Sequence, residues 1–223
     1  MAPRLSVVVP ALNEAARIHA ALEALAPLRA RGHEVIVVDG GSEDATMELA
    51  LPLATQVIKA ARGRALQMNA GARAARGDAF IFLHADTCLP ARADELVLRA
   101  LEHAAWGRFD VRITGRAALT IVAAMMNIRS RLTGVATGDQ AIFVRRDAFP
   151  GFPEIALMED IALSRELKRR GRPACLRERV RTSGRRWEAR GVLRTIFLMW
   201  RLRLLYALGV PPQRLAREYA DPR

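Results

Sequence analysis

The sequence predicts an α/β fold: a mostly parallel sheet flanked by helices, with a helical extension at the C-terminal end. Three observations carry that reading. Short apolar runs alternate with helix-length amphipathic segments over roughly the first 83 residues, in the order β-α-β-α-β-α-β, the alternation of a doubly wound parallel sheet. Three of the four strand runs end in a polar cluster, where open α/β sheets bind ligands. And 223 residues with 51% hydrophobic content suffice for one large buried core and exclude a disordered chain.

The elements follow in order. Leu5-Ser6-Val7-Val8-Val9 is a β-branched run, hence a buried strand. Pro10-Ala11-Leu12-Asn13-Glu14 is the turn after it, with Asn13 as N-cap and Glu14 in the first turn of a helix over 15–30 that Gly32 stops. Val35-Ile36-Val37-Val38 is a second strand ending in Asp39-Gly40-Gly41-Ser42, and Ser42 or Asp44 caps a helix over 45–51. Val57-Ile58 is a short third strand. Arg62-Gly63-Arg64 precedes a helix over 65–76 carrying Gln67 and Asn69. Phe80-Ile81-Phe82-Leu83 is the fourth strand, and His84-Ala85-Asp86-Thr87 follows at its carboxyl end. A carboxylate there can hold a hard divalent cation; it can also simply cap a turn.

The second half reads as a helix over 93–104, a strand over 109–114, an apolar helix over 117–126, and a loop over 134–139. A strand over 140–144, a turn, and a helix over 161–170 come next. Glu159 and Asp160 stand at that helix's N-terminus, where the dipole favours carboxylates; a carboxylate in reach of a substrate hydroxyl can also act as general base. An edge strand over 175–182 leads to Ser183-Gly184-Arg185-Arg186-Trp187. Two arginines beside a tryptophan suit a diphosphate, since guanidinium forks match phosphate oxygens; a solvated turn anchored by an aromatic is the plainer reading. A long greasy helix over 188–208 ends at Gly209-Val210-Pro211-Pro212. Arg190, Arg194 and Arg201 share one side of it, while Arg203 lies opposite and spoils a clean amphipathic pattern.

Charge is unevenly placed. The formal net charge of +12 comes wholly from residues 161–223, with 17 Lys/Arg against 5 Asp/Glu, whereas residues 1–160 balance at 18 against 18. Such a region suits an anionic partner for 161–223, whether a membrane surface, a phosphate-rich ligand or nucleic acid, and a solvated basic face is the plainer reading. The greasy helix can meet that membrane, the domain itself or a second subunit, so a homo-oligomer stays open. No nucleic-acid recognition motif accompanies the basic tail, and no nucleic-acid partner is expected. The two cysteines, Cys88 and Cys175, have no metal or redox spacing. With no signal-peptide pattern and no apolar run of the roughly 20 residues a spanning helix needs, the chain is expected in the cytoplasm, peripheral on the inner face of a membrane.

The ordered series Pro10-Ala11-Leu12-Asn13-Glu14, Asp39-Gly40-Gly41-Ser42, Asn69-Ala70-Gly71, His84-Ala85-Asp86, Glu159-Asp160 and Arg185-Arg186-Trp187 resembles family 2 glycosyltransferases of the GT-A (Rossmann-like) fold. With Gly138-Asp139-Gln140 and the terminal hydrophobic helix, it is similar to a compact bacterial subgroup. The resemblance spans roughly residues 4–187, and it implies a GT-A domain over 1–187 with an extension over 188–223. It implies an inverting transfer of a sugar from a nucleoside-diphosphate sugar to the hydroxyl of an acceptor it does not name. Pro10, Asn13, Glu14, Asp39, Arg64, His84 and Asp86 would bind the nucleotide-sugar. Asp86 would hold Mg²⁺ or Mn²⁺, with His84 replacing the first acid of the family's Asp-x-Asp. Asp160 would be the base. Asp139, Gln140, Glu159, Arg185, Arg186 and Trp187 would face the acceptor or the diphosphate. The basic, apolar C-terminal region suits a lipid-linked acceptor. Two rivals stand beside this reading. A nucleotidyltransferase would need a Gly-rich basic loop after the first strand, which Pro10-Ala11-Leu12-Asn13-Glu14 is not. A membrane- or partner-binding module with a vestigial sugar site is the other.

Overall fold

A computed structural model describes residues 3–220. One mixed sheet of eight strands runs through the molecule in the order β3-β2-β1-β4-β7-β6-β8-β5. Its first half comprises β1 (Leu5–Ala11), β2 (Glu34–Asp39), β3 (Gln56–Lys59) and β4 (Ala79–Phe82), all parallel. Between them lie α1 (Ala15–Glu23), α2 (Ala26–Ala30), α3 (Thr46–Ala50) and α4 (Arg64–Ala74). The predicted helix over 15–30 is thus two helices. Pro27 stands in the first turn of α2, and a proline there cannot continue the hydrogen bonding of the helix before it.

Beyond β4 the pairing is mixed. The two-residue β5 (Thr87–Cys88) precedes α5 (Ala93–Leu101), β6 (Trp106–Thr114) and α6 (Ala118–Thr133). Then come β7 (Phe143–Arg145), α7 (Glu159–Leu167) and β8 (Ala174–Ser183). β7 runs antiparallel to both β4 and β6, while β8 runs parallel to β6. The strand expected over 140–144 starts only at Phe143. Gly138–Gln140 form a 3-10 turn in which Thr137 and Gln140 cap each other, and Ala141 takes a left-handed φ of 46°. The strand expected at an edge, β8, is covered on its outer side by β5.

Alternation along the strands makes two cores. Val7 and Val9 face α1 and α5 residues such as Leu22 and Val97. Val8, Ile36 and Phe80 face the opposite side, with Met68 of α4 and Leu163 of α7. Polar clamps then fix the carboxyl edge of the sheet. Gln67 Nε2 donates to the carbonyls of Ala11 and Val38, each at 2.8 Å, so one α4 side chain ties together the ends of β1 and β2. Asn69 brackets Phe152 through both backbone groups, at 2.9 and 2.7 Å, and so holds the loop that leads to α7.

The C-terminal part differs from the single long helix predicted. Gly191, at φ 83°, separates α8 (Arg185–Arg190) from α9 (Val192–Ala207), and Pro212 begins a further helix, α10 (Pro212–Ala220). Leu202 and Leu215 are fully buried against Met158 and Ile161 at the start of α7; burying one such side chain contributes about 1.5–3 kcal/mol. One face of α9 therefore packs on the body of the protein. No helix among the described residues is long and apolar enough to cross a membrane.

Candidate active site

The ends of β1, β2 and β4 lie side by side, so their three polar clusters share one edge of the sheet. A cleft opens there as two joined chambers. The smaller, about 380 Å³, lies over β1 and β4 and takes in Pro10, Glu14, Arg62, Asp86 and Arg190. The larger, about 440 Å³, takes in Arg129, Glu159, Asp160 and Arg203 beside apolar walls from α6 and α9. Arg64, His84, Asp139, Trp187, Met199 and Tyr219 line both and form the partition between them.

His84 lies two residues past the end of β4, and its Nδ1 sits 3.4 Å from an Asp139 carboxylate oxygen. A Cβ on Gly138 would stand 2.6 Å from both Cε1 and Nε2 of the same ring, so only glycine lets the 138–140 turn close on the imidazole. Asp160 is fixed from two sides. Its Oδ2 accepts the Gly138 N–H at 2.9 Å and its Oδ1 the Ile161 N–H at 2.7 Å. Met158, two residues earlier, has a left-handed φ of 71°. A non-glycine residue held there costs on the order of 1–3 kcal/mol and persists only where the surroundings impose it; here the turn swings the Glu159-Asp160 pair into the larger chamber.

Charges inside the cleft act on one another. Glu159 is buried, and burial, followed by the neighbouring Asp160, pushes its pKa up, against the pull of Arg64. Arg64 is hemmed in by protein groups yet open to solvent through the cleft mouth. Burial disfavours its charge, but Glu159 foremost among the nearby groups outweighs that and holds the guanidinium pKa above its ordinary value. Arg129 is pushed down to about 10, by burial first and then by Arg203.

Asp86 is exposed at the smaller chamber, and its carboxylate accepts a 3.3 Å bond from Thr87 Oγ1. Among the described residues, no group of three or more His, Cys, Asp or Glu side chains converges as a ready-made metal cage. One open carboxylate facing an arginine-lined chamber nonetheless suits Mg²⁺ or Mn²⁺, which are held by one or two carboxylates together with substrate phosphates and waters.

Of the residues singled out from sequence, Pro10, Glu14, Arg64, His84, Asp86, Asp139, Glu159, Asp160 and Trp187 line the cleft. Four do not. Asp39 is buried behind the wall, its carboxylate accepting the N–H groups of Gly41 and Ser42 at 2.9 Å each. Asn13 is not the N-cap of α1; Glu14 is. With φ 53°, Asn13 ties two loops together, donating from its N–H to Ser42 Oγ and accepting from the Glu43 N–H. Gln140 is fully buried in its capping turn, because its amide serves Thr137 and Asn127. Arg185 points to solvent at the start of α8, where the helix turns it away from the cleft. The side chain of Arg186 lies outside the described residues.

Arg62, Arg129, Arg190 and Arg203 were not anticipated as cleft residues. Arg203 did leave a signal: it was the one arginine off the polar side of an apolar helix, and that side turns out to face the cleft. Arg129 sits in a stretch that reads as the tail of an apolar helix, and nothing in its spacing marks it.

Fold and cleft define a GT-A-type α/β protein with two joined chambers at the carboxyl edge of its sheet. The chain belongs to glycosyl transferase family 2, whose signature it matches over residues 6–148. It is 35% identical over 101 residues to an uncharacterized glycosyltransferase of Haemophilus influenzae, a match covering 44% of this chain and 34% of that one. The chain thus spans about a third of the length of that curated relative. Among solved structures, S. aureus TarS 1-349 superposes with a TM-score of 0.67 at 18% identity, covering 88% of this chain and 65% of that one. A TarS structure with UDP-GlcNAc gives 0.66 at 18% identity, over 81% and 58%. Glucosyl-3-phosphoglycerate synthase from Mycobacterium tuberculosis, with Mn²⁺, UDP and glucosyl-3-phosphoglycerate, gives 0.61 at 21% identity, over 81% and 71%. At these identities the likeness is one of fold.

Proposed function

We propose that this chain transfers a sugar from a nucleoside-diphosphate sugar to an acceptor hydroxyl, with inversion at the anomeric carbon. The observation that carries the proposal is the division of the cleft. The smaller chamber gathers Arg62, Arg64, Arg190 and the open Asp86, groups that suit a diphosphate. The larger holds Asp160. Donor and base therefore lie on opposite sides of the His84–Asp139 partition, the arrangement a single in-line displacement needs.

In this mechanism Pro10 and Glu14 wall the nucleotide end, and the arginines orient the diphosphate. A Mg²⁺ or Mn²⁺ ion on Asp86, when bound, supplies positive charge to the leaving diphosphate. Asp160, locked by two backbone N–H groups, takes the proton of the acceptor hydroxyl. The acceptor oxygen bonds the anomeric carbon as the bond from that carbon to the diphosphate oxygen breaks, and the electron pair leaves with the diphosphate. Arg62, Arg64 and Arg190 offset that charge as it grows. Asp39, Asn13 and Gln140 act as positioning residues that hold the loops carrying the site.

Two apolar stripes support association with a membrane surface. Ile121, Met125, Ile128 and Leu132 on α6, and Leu193, Phe197, Trp200 and Leu204 on α9 with Leu208 just past its end, recur at helical spacing and are half exposed or more. Both stripes reach the rim of the larger chamber, through Met125 and Trp200, and the basic excess of residues 161–223 accompanies them. The acceptor end of the cleft then opens toward the bilayer, as a lipid-linked acceptor requires. The same stripes are the observation that favours the second reading, a docking module without catalysis.

A thermal-shift panel of UDP-, GDP- and dTDP-sugars, with and without Mn²⁺, tests the first reading. Ligand at about 100 times Kd adds about 2.7 kcal/mol, which raises Tm by roughly 5–10 °C in a chain of this size. A Mn²⁺-dependent shift with one nucleotide, lost in Asp86→Ala, is the expected result. No shift with any of them favours the docking module.

A further inference from the structure

The larger chamber contains a charge arrangement that sugar transfer alone does not require. Arg129, on α6, and Arg203, on α9, approach from two helices and both face Asp160. Among the described residues, Arg129 Nε and Nη2 are buried with no hydrogen-bond partner. Buried guanidinium N–H groups left unsatisfied are costly, and here the cost is compounded by a second cation close enough to repel the first. Arg108 adds to that repulsion from beneath, although its own Nη1 is paired with Asp110. The nearby carboxylates are shared: Asp160 is bonded to the Gly138 and Ile161 amides, Asp139 lies against His84, and Glu159 faces Arg64.

We propose that Arg129 and Arg203 form an anion subsite that grips a phosphate or carboxylate on the acceptor and thereby presents its hydroxyl to Asp160. The donor diphosphate does not explain the pair, because neither arginine lines the smaller chamber, where Arg62, Arg64 and Arg190 already serve that group. Met125, Met126, Ile196, Met199 and Trp200 wall the rest of the chamber, so the acceptor carries an apolar body as well as its anionic group. This inference rests on the reading of the larger chamber as the acceptor side.

The test titrates dodecyl phosphate, glycerol 3-phosphate and the neutral dodecyl maltoside, each below its micellar concentration, into the full chain held with UDP and Mn²⁺. Expected is binding of at least one of the two phosphates without displacement of UDP, at least tenfold tighter than the maltoside. Arg129→Gln and, separately, Arg203→Gln weaken it by roughly 10–100-fold, the range of a hydrogen bond to a charged group, while UDP affinity stays put. Preference for dodecyl phosphate assigns the anion to a lipid, preference for glycerol 3-phosphate to a small soluble alcohol, and either result supports the subsite. Arg203→Gln, on a different helix, guards against misfolding of the Arg129 variant. Phosphate binding that is unchanged in both variants, or that is abolished by UDP, overturns the subsite. If UDP itself does not bind, the transferase reading fails, and phosphate binding that still depends on Arg129 then marks an anion site independent of it.

Discussion

His84 Nδ1 lies 3.4 Å from a carboxylate oxygen of Asp139. The contact joins the segment after β4 to the 3-10 turn over Gly138–Gln140 and forms part of the partition between the two chambers. It also places a carboxylate beside the position where the family's Asp-x-Asp motif has its first acid and this chain has histidine. Gly138 is what allows the approach. In Gly138→Ala the new Cβ would meet the imidazole at 2.6 Å, and the ring, being the free end of a side chain, swings away. Small displacements of site groups cost up to roughly 100-fold in rate. Nucleoside-diphosphate release is expected to fall roughly 10–100-fold with Tm nearly unchanged, as measured by a coupled release assay and a melting curve on the same preparation.

Gly71 has the opposite character. It lies inside α4 on a helical backbone, and an added Cβ would meet Val8 Cγ1 at 2.4 Å and Val38 Cγ2 at 3.0 Å. Both neighbours are core strand residues that cannot retreat. Overpacking of this kind costs about 1–3 kcal/mol, more than the ~1 kcal/mol that alanine gains over glycine in a helix. Urea denaturation of Gly71→Ala is expected to show a lower midpoint at unchanged m-value.

The contrast between these glycines shows what was legible. The β-α-β alternation, the three polar strand ends, and the position of Asp86 and Asp160 on the cleft could all be read because each depends on local pattern. Asp39 and Gln140 could not be separated from true cleft residues, because a carboxylate spent on its own turn looks identical in sequence to one that faces a ligand. Arg129 was invisible for a different reason: its role depends on α6 and α9 converging, and no local pattern encodes that convergence. The break at Gly191 and the helix after Pro212 were missed because the apolar run on either side suggested one continuous helix.

Glu159 supplies a pH prediction. Its pKa is raised in the folded state, by burial first and then by Asp160. Once the pH exceeds the unfolded-state value near 4.5, the unfolded chain has released a proton that the folded chain still holds, so stability declines with rising pH up to the folded pKa. Glu159→Gln removes that dependence. The Tm of the variant minus that of the wild type is expected to increase from pH 5 to pH 7.5, and a flat or falling difference would show that Arg64 compensates the carboxylate fully.

The apolar stripes predict membrane behaviour. Phe197→Ser with Leu204→Ser removes two exposed side chains of α9 that do not line the cleft. Flotation with anionic liposomes at low salt is expected to drop at least tenfold for this double variant, with donor-induced thermal shifts retained. Wild-type protein that ignores such liposomes would remove the membrane from the account.

The central claim is that donor binding and proton acceptance are divided between two chambers, and Asp160→Asn tests it most directly. Asp160 lines only the larger chamber, and asparagine keeps its shape while losing basicity. The measurement is donor Kd and nucleoside-diphosphate release, side by side, for wild type and variant in Mn²⁺. The account predicts an unchanged Kd and release slowed by roughly 10²–10⁴-fold, the usual contribution of a general base. Release at the wild-type rate, or loss of donor binding in the variant, would contradict it.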